Sequence, residues 1–259
     1  MQVLISIANV LFGFLKFVLG AAILAVPLFT LKKPENTYKK FILLLSLAAI
    51  GILILHAGIS TATNLGTLAS YGGLDLTTVF TMLGGLVGTV FGILLVFVFP
   101  FIASVGKTEK PWFAFLLVLP VFQCILAAIL NATGAALVVA SGLGAVVQVL
   151  VIPVLILAAV WYLTGKKRVL SLVLVIVTAV MFVLCLILST AAVSTYYETL
   201  GMATANPLQA ISSSSMFFTA PQRFLFLLLI SMGLRAFITA PKPVPPVPQY
   251  PQYPQNPQF

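Results

Sequence analysis

The sequence predicts an all-α, polytopic integral membrane protein: a seven-transmembrane-helix bundle followed by a disordered, proline-rich C-terminal tail. Three observations carry that prediction. Of the 259 residues, 61% are hydrophobic and 7% charged, whereas about a quarter of a soluble globular domain is charged. The apolar runs are continuous for roughly 20 to 29 residues, enough for a helix to cross a hydrocarbon core of about 30 Å, and they lack the alternating polarity of barrel strands. The thirteen basic residues fall in tight clusters between those runs.

The first span, Val3 to Leu31, is followed by Lys32 and Lys33, and Lys39 and Lys40 lead into the second, Phe41 to Thr63. Ala21, Ala22 and Ala25 give the first span a passing likeness to a signal peptide. Its length, the four lysines after it and the lack of a basic residue before it argue for a span instead. The third span, Leu76 to Val105, leads to Lys107 and Lys110, and the fourth runs from Trp112 to Asn131. The fifth, Ala145 to Thr164, meets Lys166, Lys167 and Arg168, after which Val169 to Val193 returns as the sixth. The seventh, from Phe217 or Arg223 to Ala240, is the most polar, and Arg235 lies close enough to its inner end to snorkel.

If alternate connections share one side, eleven cations lie on the cytoplasmic side, Arg223 lies outside and Lys16 falls within a span. The excess orients the chain with its N-terminus outside and its C-terminus inside. Residues 1–240 are thus one transmembrane domain and 241–259 a cytoplasmic tail. Pro27, Pro100 and Pro153 each precede a lysine-bearing turn and a returning helix. Their intervals of 73 and 53 residues are too unequal to establish a repeat.

The tail cannot form a helix, because each proline removes a donor and fixes φ, so an extended polyproline II conformation is expected. Lys242, Pro245 and Pro248 stand in an order that resembles one class of SH3-domain ligand. An SH3-type cytoplasmic adaptor is therefore an expected partner, and a eukaryotic plasma membrane or endomembrane the favoured location.

Within the membrane, Gly84, Gly88 and Gly92 recur every four residues and bare one face of the third span. Another helix, from this chain or from a second copy, can approach such a face closely. Lys16 is the sharpest anomaly: it lies about 22 Å from Leu31 along a helix, and a lysine at mid-span costs roughly 2.5–3.5 kcal/mol on insertion scales. Glu35, Asp75, Glu109 and Glu198 all fall in the expected connections. His56, Gln148 and Cys185 lie fifteen or sixteen residues from the inner ends of their spans, so they share the level of Lys16, with Gln123 somewhat nearer the cytoplasm. Lys16, His56, Gln123 and Gln148 form a candidate mid-membrane polar site. Two cationic neighbours there disfavour each other's charge, which leaves one neutral or calls for an anion between them.

Several chemistries are unfavoured. One histidine and two separated cysteines, Cys124 and Cys185, do not supply a haem, zinc or iron–sulfur ligand set, and no disulfide framework is expected. No metal, cofactor or nucleic-acid partner is expected; the positive charge sits beside the bilayer, where it attracts anionic lipid. The leading expectation is a non-enzymatic structural, organising or accessory subunit, packed through its glycine face and recruiting partners by its tail. The alternative is a channel, transporter or ligand-responsive receptor built on the polar layer.

Overall fold

The computed structural model describes residues 2–73, 75–105, 118–133, 138–163, 167–199, 201 and 217–240. Lys107, Lys110, Lys166, Lys242, Pro245 and Pro248 lie outside the described residues, as does the whole tail. Within the described residues the chain is all-helical: α1 (Gln2–Phe29), α2 (Glu35–Ser70), α3 (Leu76–Val105), α4 (Val118–Thr133), α5 (Val138–Leu163), α6 (Arg168–Thr199) and α7 (Ala220–Thr239). Six of these are long and apolar enough to cross a membrane. The remaining one, α4, is apolar and has 16 described residues.

The helices run past the apolar segments because polar residues at their ends bond to their own backbone. In α2 the hydroxyls of Thr63, Thr67 and Ser70 donate to carbonyls three or four residues back at 2.7–2.9 Å, which carries the helix seven residues beyond the apolar run. In α6, Thr190 and Thr195 do the same. Glycine then closes both helices: Gly72 (φ 71°) and Gly201 (φ 68°) adopt the left-handed conformation that L side chains resist. At the opposite end of α2, Pro34 precedes the first turn, where Glu35 pairs with Lys39 at 3.4 Å.

Sequential helices pack side by side from α1 to α7, and α7 closes on α1 while also touching α2 and α3. The last helix is therefore the inner one: 61% of its apolar stretch is buried, against 11–39% for the other five spans. Phe224, Leu225, Phe226, Leu228, Leu229, Met232 and Ala236 of α7 join the main core, and the Phe218 and Phe226 rings meet edge to face at 5.6 Å. Inside a membrane such contacts would gain dispersion rather than hydrophobic energy. The apolar residues of α1 that point away from this core, including Val10, Phe14, Phe17 and Phe29, are exposed.

Two polar links fix the ends of α7 and its neighbours. Arg235 donates from Nη1 to the Thr30 carbonyl, which also accepts from the Lys33 N–H, at 2.6 Å and from Nη2 to the Lys33 carbonyl at 2.9 Å, just past the end of α1. Its guanidinium also lies over the Tyr38 ring, 5.6 Å from the centroid. Between α5 and α6, the Trp161 indole N–H donates to Ser171 Oγ at 2.9 Å.

Candidate functional site

About 20 Å of helix separates Lys16 from Thr30 on α1 and Gln222 from Arg235 on α7. Because Arg235 bonds to Thr30, the two helices are in register and Gln222 comes level with Lys16. At this level the bundle contains a cavity of about 560 Å³ lined by residues of six helices, α1 to α5 and α7, within the rough 300–1,000 Å³ range of small-molecule sites.

On one wall Lys16 Nζ of α1 stands 3.2 Å from His56 Nδ1 of α2. An ammonium has donors only, so His56 must offer Nδ1 as an unprotonated acceptor when Lys16 is charged. The pair holds at most one positive charge, since two cations have no acceptor between them. The Phe12 ring packs against the imidazole with centroids 5.0 Å apart, which orients it.

Another part of the wall is a chain of amides. Gln148 of α5 donates from Nε2 to the Phe217 carbonyl at 2.6 Å. Gln222 of α7 donates to Gln148 Oε1 at 2.5 Å and lies 3.7 Å from Cys124 Sγ of α4. Its own oxygen accepts from the Thr219 N–H at 3.2 Å, half of the reciprocal arrangement that starts a helix after Thr-x-x-Gln. Gln123 of α4 projects against α3 at Gly92, where an added Cβ would stand 2.5 Å from its Nε2, so the bare backbone makes room for the amide. Gln123 Oε1 is buried and has no hydrogen-bond partner among the described residues.

The structure brings Lys16, His56, Gln123 and Gln148 around this one cavity. Of the glycine series, Gly92 and Gly88 line it, with Gly85 and Thr89 beside them. A Cβ added at Gly84 or Gly88 would have no atom within 4 Å, so none of the described helices sits close upon them. Cys185 stands away from the cavity wall and is 3.7 Å from the Val147 carbonyl, and both cysteines are free and buried. The described residues contain no group of three or more metal-ligating side chains.

Sequence reading did not assign Thr219, Gln222 and Arg223 to this layer: it left the last span two starts, Phe217 or Arg223, and counted Arg223 as an outer residue. The available signal was Thr219-Ala220-Pro221-Gln222, a capping pattern with proline in the first turn, directly before an apolar run. Arg223 donates from Nε to the Phe218 carbonyl at 3.0 Å, lies 5.5 Å over that residue's ring, and is within electrostatic range of Lys16. No protein-family model, curated protein sequence or solved structure matches the chain.

Proposed function

We propose that this chain is a seven-helix integral membrane protein in which six of the helices line a binding site for a small polar solute, serving as a channel, transporter or ligand-responsive receptor rather than an enzyme. The observation that carries the reading is the Lys16–His56 contact at 3.2 Å on the wall of a cavity that also receives Gln123, Gln148 and Gln222. A polar layer that served only to join helices would fill its own space with hydrogen bonds. Here Lys16 is paired with His56 and Gln222 with Gln148, but Gln123 Oε1 has no partner among the described residues and all five side chains border open volume. In the orientation favoured by the lysine clusters the cavity lies about 20 Å from the inner end of a core about 30 Å thick, in the outer half of the membrane.

Accessibility tests this. In sealed vesicles a Gly88→Cys variant is treated from each side with a membrane-impermeant methanethiosulfonate. The wild type is the control, because Cys124 and Cys185 are 2% and 0% exposed and buried thiols are inert. Labelling from one or both sides is expected; absence of labelling from either side overturns the reading.

A second reading, in which the chain organises other membrane proteins or copies of itself, rests on α3. This helix is the least covered of the six spans, with 11% of its apolar stretch buried, and Gly84 on it faces open space. A close-packing partner there is lost in a Gly84→Leu variant, which leaves the cavity wall intact; unchanged mass of the particle extracted in native lipid refutes it. Recruitment through Lys242, Pro245 and Pro248 belongs to this same reading.

A further inference from the structure

We infer that the solute carries a carboxylate whose anionic group binds beside Lys16, an inference that rests on the cavity being a solute site. The charge around the cavity is one-sided. Lys16 and His56 together hold at most one positive charge, the N-terminal turn of α7, Ala220 to Gln222, borders the same space, and a helix start carries a partial positive charge of its own. Arg223 lies in electrostatic range, and no Asp or Glu is among the residues lining the cavity. A cation in a low-dielectric setting with no acid beside it is matched by an anionic group on the solute.

The remaining groups define the rest of the ligand. Lys16 has ammonium hydrogens beyond the one directed at His56, enough to meet a carboxylate oxygen. The unpartnered Gln123 oxygen calls for an O–H or N–H donor. Leu53, Ile93 and Ala127 supply an apolar wall. The same carboxylate chemistry can arrive dissolved in water or carried on an acyl chain from the bilayer.

The test uses the full chain in phosphatidylcholine nanodiscs and measures equilibrium binding of three probes: sodium benzoate as an aqueous carboxylate, sodium oleate as a bilayer-borne one, and benzamide as the neutral isostere of benzoate. Wild type should bind a carboxylate, Lys16→Met should weaken that binding by about tenfold to a hundredfold, the loss of one charge-assisted hydrogen bond, and Lys16→Arg should restore most of it. Benzoate binding assigns an aqueous source, and binding of oleate alone assigns a lipid source. Benzamide binding as tightly as benzoate, or carboxylate binding indifferent to Lys16→Met, overturns the inference while the solute site stands. Failure of both carboxylates to bind, when Gly88→Cys is labelled, also overturns it; failure together with an unlabelled Gly88→Cys removes the site itself.

Discussion

The side-chain amide of Gln222 donates to the amide oxygen of Gln148 at 2.5 Å, joining two residues 74 positions apart, both of them buried. Through this contact the start of the innermost helix is tied to the middle of α5.

Breaking that link from one side should cost more than removing it from both. Gln148→Leu strands the Phe217 carbonyl and the Gln222 amide, and each single substitution to Leu should lower stability by about 1–3 kcal/mol. In the double variant the loss should fall short of the sum. Unfolding in mixed micelles gives the coupling energy from the cycle; strict additivity would mean the two amides act independently.

Arg235→Met should release the end of α1. Two hydrogen bonds from a charged donor, to the carbonyls of Thr30 and Lys33, are lost, each kind worth about 1.5–3 kcal/mol. Hydrogen exchange over residues 30–34 should rise. Arg235→Lys should recover only part of the protection, because an ammonium cannot span both oxygens as a planar fork does.

Two glycine substitutions should move stability in opposite directions. A Cβ at Gly233 meets Val175 Cγ2 at 2.9 Å and the Ser171 carbonyl oxygen at 3.4 Å, so Gly233→Ala should destabilise by about 1–3 kcal/mol as α7 is pushed from α6. At Gly84 nothing lies within 4 Å, and Gly84→Ala should be neutral or stabilising by about 0.5–1 kcal/mol. Thermal midpoints of the two purified variants decide this; equal losses would contradict the packing described.

Lys16→Leu should be at least as stable as wild type, because it removes a cation from an apolar helix, while weakening solute binding by about tenfold to a hundredfold, as Lys16→Met does. A variant that fails to fold would instead make the Lys16–His56 contact structural.

Acidification should loosen the start of α3. Asp75 precedes that helix, and its carboxylate is held below the usual carboxylate range by the Thr78 hydroxyl and by the Thr78 N–H, which donates to Oδ1 at 2.8 Å. The folded pKa being the lower one, this contribution is complete above the unfolded value of about 3.9 and disappears as pH falls through the folded value. Exchange of the Thr78 and Val79 amides should therefore be faster in Asp75→Ala at neutral pH, and the difference should vanish in strong acid.

The sequence made most of the helices legible because lipid-facing segments must be continuously apolar. Leu76 to Val105 coincides with α3, and the polar level of Lys16, His56, Gln123 and Gln148 followed from counting residues inward from the lysine clusters. α7 was the weakest expectation for a physical reason. Surrounded by protein, it can carry Gln222, Arg223, Ser231 and Arg235, so its apolar signal is diluted even though it is the most buried span. The outward extension of α2 to Ser70 was hidden likewise, since Thr63, Thr67 and Ser70 read as loop residues until their hydroxyls are seen bonding to their own helix. The glycine series marks a bare face whether the occupant is a helix, a glutamine or a solute, so spacing alone could not say that Gly92 receives Gln123 and Gly88 an empty space.

The central position of α7 also sets an order of events in biogenesis. A ribosome adding roughly 5–20 residues per second needs about 2–8 s to go from the end of α6 at Thr199 to the end of α7 at Thr239. Until Ala220 to Thr239 has been made, Gln148, Tyr38 and Thr30 lack the side chains that meet them in the finished bundle, so the six earlier helices cannot reach their final packing before the last one is in place.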